Sequence, residues 1–256
     1  MSLESTAGAV PAQQRSGPVV ATRGLVAGYR GLPVVRDLTL HVAAGEIVAL
    51  LGPNGAGKTT TLMTLAGLLP PIAGEVTLLG EPVHGRKVHT LARRGVALVP
   101  EGRGLFPGLT VAEHFRLARR REGEAQGEAL ERALGYFPEL KRLMGRRCGL
   151  LSGGEQQIMA VCRALVTSPR VLMVDEMSLG LAPKIVERLL EVLRQIAVEQ
   201  DLAVLLVEQH VHMALGVADR GYVLSHGALV MEGAAADLAG RREVLASTYL
   251  GGSALD

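Results

Sequence analysis

The chain has 256 residues, of which 48% are hydrophobic, and its formal net charge is +2. This length suits one large α/β domain or two small ones, and it allows a core that needs no disulfide or metal for stability. The small net charge does not favour nucleic acid as a partner, and no apolar run approaches the roughly 20 residues of a membrane-spanning helix.

The N-terminal segment and the cysteines favour a cytoplasmic protein. Residues 1–18 are small and polar, contain Pro and Gly, and show no apolar period, so we expect a disordered leader. They lack the basic start and apolar core of a signal peptide. Cys148 and Cys162 have neither metal-ligand nor redox spacing, and we interpret them as buried small hydrophobes in a reducing compartment.

Three kinds of pattern follow one another along the chain and predict an α/β fold. The first strands are predicted at 19–26, 34–42, 46–51 and 75–79, with an antiparallel character. From Leu109 to Leu143 the apolar pattern becomes helical, which predicts an inserted helical subdomain over about 102–168. Strands at 96–99, 170–174, 202–207 and 221–224 and helices at 154–166 and 183–200 complete the prediction. Such alternation is typical of a mostly parallel sheet.

A glycine-rich motif after the strand at 46–51 predicts nucleoside triphosphate binding. Its sequence, GPNGAGKT, matches the phosphate-binding pattern G-x-x-x-x-G-K-[ST] and precedes an apolar helix at 60–69, a context that a chance glycine turn does not explain. Backbone N–H groups and the helix N-terminus face the phosphates in such a loop. Lys58 would reach the β- and γ-phosphates, and the Thr59 hydroxyl would ligate Mg²⁺. The predicted nucleotide-binding residues are Gly52, Pro53, Asn54, Gly55, Ala56, Gly57, Lys58, Thr59 and Thr60.

The run VLMVDE at 171–176 is an apolar strand that ends in two carboxylates. Ligands bind at the carboxyl ends of parallel strands, so we expect Asp175 to hold Mg²⁺ and Glu176 to polarise the attacking water. An acidic turn after a strand is common, and the interpretation depends on the phosphate-binding loop.

The motif LSGGEQQ at 151–157 lies about twenty residues before the acidic strand end, and here the chain resembles the ATP-binding cassette (ABC) ATPases. Ser152, Gly153, Gly154 and Glu155 would stand at a helix start, where free N–H groups bind the γ-phosphate of ATP held by another subunit. A plain capping box formed by Ser152 and Glu155 also fits this spacing, and both can hold together.

This resemblance covers residues 19–252 and implies a P-loop ATPase with a mixed core sheet, an antiparallel β subdomain and an inserted helical subdomain. It also implies that two cassettes sandwich two ATP molecules, so a second cassette is an expected partner. Tyr29 matches the family's adenine-stacking aromatic, although a lone Tyr is otherwise a core or surface residue. Glu101 stands where most relatives carry a Gln that contacts Mg²⁺, and a carboxylate is also a suitable ligand.

A second departure concerns the residue that contacts the γ-phosphate after the strand at 203–207. Most cassettes have His there, and the spacing to Asp219 favours Gln209 as the matching residue in this chain, with His210 as the alternative. Gln donates a hydrogen bond but does not titrate near neutral pH. We therefore expect Lys58, Glu176 and Gln209 to act in hydrolysis.

The runs VPEGR, LFPGLTVAEH, EMSLGLAP and LLVEQ together resemble the second cassette subunit of branched-chain amino acid importers. That resemblance implies an ATPase on the inner face of the cell membrane, bound to permease subunits and indirectly served by an extracytoplasmic binding protein. A cassette of a urea or short-amide importer, or a soluble non-transport ABC ATPase, is the alternative. Phe106, Leu109 and Phe115 are candidates for a groove that receives a permease helix, or for ordinary core.

Overall fold

The computed structural model describes residues 17–118 and 126–241; residues 1–16 of the leader predicted at 1–18 and the end of the predicted domain at 242–252 lie outside them. The strands of the described residues are β1 Val20–Tyr29, β2 Leu32–Val42, β3 Ile47–Leu51, β4 Ala73–Leu78, β5 Glu81–Pro82, β6 Val96–Val99, β7 Val171–Asp175, β8 Ala203–Glu208, β9 Arg220–Ser225 and β10 Ala228–Ala234. The helices are α1 Lys58–Leu65, α2 Val88–Arg93, α3 Val111–Leu117, α4 Gln126–Tyr136, α5 Gly153–Leu165, α6 Pro183–Glu199, α7 Val211–Val217 and α8 Ala235–Gly240.

A six-stranded mixed sheet with the order β10-β9-β3-β8-β7-β6 forms the centre of the molecule. Its strands β9, β3, β8, β7 and β6 pair in parallel, and β10 pairs antiparallel with β9. The prediction of a mostly parallel sheet is therefore confirmed. Because parallel strands end at one edge, the segments that follow β3, β6, β7 and β8 are brought together there.

The central strand β3 shows why the parallel strands of this sheet have continuous apolar sequences. All five of its residues are buried, and alternate side chains enter the cores on the two faces of the sheet. Ile47, Ala49 and Leu51 pack on one face, whereas Val48 and Leu50 pack on the other. Burial on both faces removes the polar alternation that a half-exposed strand would show.

A separate four-stranded antiparallel sheet, of order β2-β1-β4-β5, packs on one face of the central sheet. Its first hairpin is longer than predicted, because β1 continues to Tyr29, which pairs with Leu32. At Gly28 a Cβ atom would lie 1.9 Å from the Leu32 carbonyl oxygen, so only glycine permits this close approach.

The segment between β6 and β7 is helical, as its pattern predicts. It contains α3, α4, two 3₁₀ turns at Pro138–Leu143 and Cys148–Leu150, and then α5. The sequence did not predict α2, α7, β10 and α8. The three helices have six or seven residues, which is too short to show a helical period, and β10 buries none of its residues and lacks an alternation of apolar and polar residues.

Candidate functional site

The glycine-rich loop connects β3 to α1 and presents the start of that helix without a side-chain cap. Gly57, the N-cap residue, has φ of 100°, and a Cβ atom there would lie 2.8 Å from a methyl group of Val35. No acidic residue lies in the first turn of α1. The free N–H groups and the positive end of the helix dipole are thus left for an anion.

Lys58 lies at the centre of the site and is 4% exposed. Its Nζ donates hydrogen bonds to the carbonyls of Gly52 at 2.8 Å and Pro53 at 3.1 Å. The same ammonium group lies 3.3 Å from Oε1 of Glu176. The structure therefore brings the predicted phosphate-binding lysine and the predicted water-polarising carboxylate into contact.

Asp175 ends β7 beside the first turn of α1, and its Oδ1 accepts a hydrogen bond from Thr59 Oγ1 at 3.3 Å. Burial, together with the nearby carboxylates of Glu176 and Glu101, raises the pKa of Asp175 to about 6, although the hydrogen bond from Thr59 and the charge of Lys58 act in the opposite direction. A partly buried hydroxyl–carboxylate pair near other carboxylates provides the hard oxygen ligands that Mg²⁺ prefers. Thr59 and Asp175 therefore fit a Mg²⁺ ion.

Glu176 follows β7 directly and has φ of 44°, a left-handed conformation that is unfavourable for residues with a Cβ atom. Its backbone N–H donates to the carbonyl of Val207 on β8 at 2.9 Å. Such conformations persist only where the surrounding structure enforces them, and they cluster at functional sites.

The motif at 151–157 forms the start of α5, and its capping box is complete. Ser152 Oγ accepts from the N–H of Glu155, and the Glu155 carboxylate accepts from the N–H of Ser152. These bonds to Ser152 lower the pKa of Glu155. Ser152 and Gly153 are exposed. Among the described residues, no hydrogen bond joins them to the glycine-rich loop, so this helix start faces outward.

Of the remaining predicted residues, Glu101 and Gln209 follow strands of the central sheet at its carboxyl edge, whereas Tyr29 ends a strand of the antiparallel sheet. Tyr29 is half exposed at the end of β1, and Glu101 is exposed after β6. Gln209 is exposed and directly follows β8, whereas His210 is the N-cap residue of α7. Their roles toward the nucleotide stay predictions.

Sequence reasoning missed a buried carboxylate in this region. Glu208, the last residue of β8, is 1% exposed and bonds to Ser178, two residues after Glu176. The only sequence signal was an acidic residue that directly continued the apolar run at 202–207, the same pattern that identified Asp175.

An open groove of about 680 Å³ lies beside β6, the edge strand of the central sheet. Apolar residues, including Leu98, Phe106 and Leu117, line it together with cationic Arg93 and Arg163. Phe106 is 58% exposed, but Phe115 is 5% exposed and packs in the core, so its interpretation as a groove residue was wrong. Leu109 is half-buried and does not line the groove.

Across residues 17–118 and 126–241, no helix combines the length and the apolar character that a bilayer crossing requires.

The fold and the site together define a P-loop nucleotide-binding protein. A family model described as ABC transporter matches residues 35–178, more than half of the chain. The chain therefore belongs to the ABC transporter family as an ATP-binding cassette, and it is an ATPase.

Relatives and solved structures agree with this placement. The chain is 40% identical to the high-affinity branched-chain amino acid transport ATP-binding protein BraG of Pseudomonas aeruginosa, over 88% of this chain and 96% of BraG. It is 36% identical to the probable branched-chain amino acid transport ATP-binding protein LivF of Archaeoglobus fulgidus, over 86% and 94%.

Among solved structures, an ATP-binding subunit of an ABC transporter superposes with a TM-score of 0.74 at 30% identity, covering 91% of this chain and 96% of that one. A dimeric bacterial ABC transporter cassette has the same fold, with a TM-score of 0.75 at 23% identity, and covers 84% and 98%.

Proposed function

We propose that this chain is the ATP-hydrolysing subunit of a membrane importer for branched-chain amino acids. The observation that carries the proposal is the cluster of Lys58, Thr59, Asp175 and Glu176 at the carboxyl edge of the sheet. The substrate class is supported by the names of BraG and LivF, which the chain matches over most of its length. The chain would act on the inner face of the cell membrane, held there by permease subunits.

The nucleotide would lie on the glycine-rich loop, with Tyr29 against the adenine. Lys58 would bind the β- and γ-phosphates, and Thr59, Asp175 and Glu101 would hold Mg²⁺. The ion would supply positive charge for the charge that develops on the phosphate oxygens. Glu176 would accept a hydrogen bond from the attacking water and orient it. Gln209 would donate a hydrogen bond to the γ-phosphate.

Each site would be completed by a second cassette, whose helix start at Ser152, Gly153 and Gly154, with the first two exposed, would meet the γ-phosphate. Because this helix start has free N–H groups and faces outward, it suits an anion held by another molecule. ATP would bind the closed dimer more tightly than the open one, and hydrolysis would remove that preference.

The groove beside β6 would receive a helix of the permease. Its apolar floor fits the apolar face of an amphipathic helix, and Arg93 and Arg163 fit acidic groups at that helix's edge. Opening and closing of the cassettes would then be transmitted to the membrane subunits.

The central test is Glu176→Gln, which keeps the size of the side chain and removes its negative charge. We expect ATP binding to remain and the turnover rate to fall at least about a hundredfold, with a stable ATP-bound dimer in size-exclusion chromatography. Glu187→Gln, an exposed position on α6, is the matched control and should behave as wild type. Normal hydrolysis by Glu176→Gln would refute the role assigned to Glu176.

The transport assignment requires the membrane partners. A tagged chain purified from its native membranes in mild detergent should retain multi-span permeases and a second cassette, identified by mass spectrometry. The recovered complex, in vesicles with its binding protein, should take up leucine in preference to urea or acetamide. Preference for the amides would move the assignment to that class of importer, and recovery of ribosomes without permeases would exclude transport.

A further inference from the structure

Glu208 is a buried carboxylate for which the proposed mechanism has no use. It ends β8, is 1% exposed, and directs both oxygens at one residue. Oε1 accepts from the backbone N–H of Ser178 at 3.0 Å, and Oε2 accepts from the Ser178 hydroxyl at 2.6 Å. Burial raises the pKa of Glu208, while the two Ser178 bonds and His210 act in the opposite direction. A carboxylate buried at this cost indicates a specific task.

The segment 176–178 that Glu208 contacts carries the carboxylate proposed to act on water. Glu176 has a left-handed backbone, with φ of 44°, and its N–H is bonded to the Val207 carbonyl. This loop is therefore attached to the last two residues of β8, once through the backbone of Val207 and once through the side chain of Glu208. The residue that directly follows β8 is Gln209, which is predicted to contact the γ-phosphate.

We propose that Glu208 is a positioning residue for hydrolysis, and that through Ser178 it holds the loop of Glu176 in register with Gln209. The inference deepens the proposed function and depends on the role of Glu176 in it. An orienting carboxylate must lie within hydrogen-bond reach of the water, and a misplacement of about 1 Å can cost up to about a hundredfold in rate. The two hydrogen bonds that Ser178 donates to Glu208, at the end of β8, supply that restraint. Glu208 would act only through Ser178, because it is 1% exposed and both of its carboxylate oxygens accept from that residue.

The test compares variants that weaken this contact in different ways. Glu208→Gln keeps the volume but leaves a single acceptor oxygen for the two Ser178 donors. Ser178→Ala removes the hydroxyl bond alone, and Ser178→Thr keeps a hydroxyl. In full-length protein with Mg-ATP, we expect kcat to fall about tenfold in Glu208→Gln and several-fold in Ser178→Ala, with KM within about twofold of wild type. Ser178→Thr should restore most of the rate.

The double variant Glu208→Gln, Ser178→Ala should lose no more rate than Glu208→Gln alone, since the two residues act through one contact. Asp219→Asn is the matched control, because the Asp219 carboxylate also accepts from a backbone N–H, that of Ile47 at 2.9 Å, and from Arg194, but at the amino ends of the parallel strands. It should keep the wild-type kcat.

The proposal is wrong if Glu208→Gln and Ser178→Ala keep the wild-type kcat, or if Asp219→Asn lowers kcat as much as they do. A rise in KM at unchanged kcat would equally overturn it. These outcomes are separable from failure of the proposed function, because Glu176→Gln is measured in the same assay. Normal turnover by Glu176→Gln would remove the role of Glu176, whereas an inactive Glu176→Gln beside a fully active Glu208→Gln would reject the positioning role alone.

Discussion

Asp175 illustrates how a binding site is built at the cost of stability. Its carboxyl is buried next to Thr59 and close to two further carboxylates, so in the free protein its ionised form is disfavoured. A divalent cation with bound phosphates would compensate for this crowding. A site that holds Mg²⁺ through Asp175, as proposed, would be adapted to its ligand at the expense of the free chain, as is common for functional sites.

The pKa of Asp175 predicts how stability depends on pH. Its folded value, about 6, is raised above the ordinary 3.8, so the native chain keeps a proton that the unfolded chain releases. The stabilisation that this retained proton gives to the native state is complete below about pH 4 and is lost as the pH rises through about 6. Asp175→Asn should raise the free energy of unfolding of the nucleotide-free chain at pH 7.5 by on the order of 1–3 kcal/mol, and should abolish hydrolysis.

Urea denaturation at pH 4.5, 6 and 7.5 measures this effect. Asp237→Asn, at an exposed position on α8, is the control and should keep the wild-type pH dependence. If Asp175→Asn showed the same slope as wild type between pH 4.5 and 6, the assigned burial effect would be incorrect.

The choice between Gln209 and His210 is a second prediction for single residues. Gln209 directly follows β8, whereas His210 begins the turn into α7, so only Gln209 continues the strand toward the carboxyl edge of the sheet. Gln209→Ala should lower kcat at least about tenfold, and His210→Ala should not, in a steady-state ATPase assay. The reverse result would assign the γ-phosphate contact to His210.

Among the elements, two helices begin with the same capping box and provide a matched pair. Thr110 and Glu113 cap α3, and Ser152 and Glu155 cap α5. The two boxes have the same local function, which is to satisfy N–H groups at the helix start. They differ in surroundings, since only the α5 helix begins with two glycines, of which Gly153 is exposed.

Alanine variants should separate the structural from the functional contribution of these caps. Ser152→Ala and Thr110→Ala should each lower the free energy of unfolding by about 1 kcal/mol in urea denaturation. Only Ser152→Ala should also weaken the ATP-dependent dimer, measured by size-exclusion chromatography in the Glu176→Gln background. Equal dimerisation of both variants would mean that Ser152 acts as a helix cap alone.

At the scale of the whole molecule, the open edge of the central sheet is the surface where we propose that a membrane subunit binds. The edge strand β6 and the helices beside it leave the groove that contains Phe106. Phe106 is held there by its backbone N–H, which donates to Nε2 of the buried His114 at 2.9 Å. An exposed aromatic on a fixed backbone in an apolar groove is suited to bind a partner.

Phe106→Asp should therefore abolish retention of permeases in the membrane pull-down and leave the ATP affinity of the purified chain unchanged. Val230→Asp is the control, because Val230 is 50% exposed on β10, at the opposite edge of the same sheet. Retention of permeases by Phe106→Asp would place the membrane contact on another surface.

The sequence by itself determined the elements whose signal is local. Apolar runs such as 47–51 predict buried strands because every residue packs, and the motifs at 52–59, 151–157 and 171–176 predict ligand chemistry because a fixed spacing sets backbone geometry. Short helices such as α2 and α7 were missed, since six or seven residues do not establish a period.

Only the tertiary structure decided which distant residues meet. The contact of Lys58 with Glu176 and that of Glu208 with Ser178 join segments 118 and 30 residues apart, through the parallel pairing of β3, β8 and β7. It also decided that Phe106 is exposed and Phe115 buried, although both are aromatic residues near the same helix start. Burial and long-range pairing depend on the packing of the whole chain, which local sequence patterns do not record.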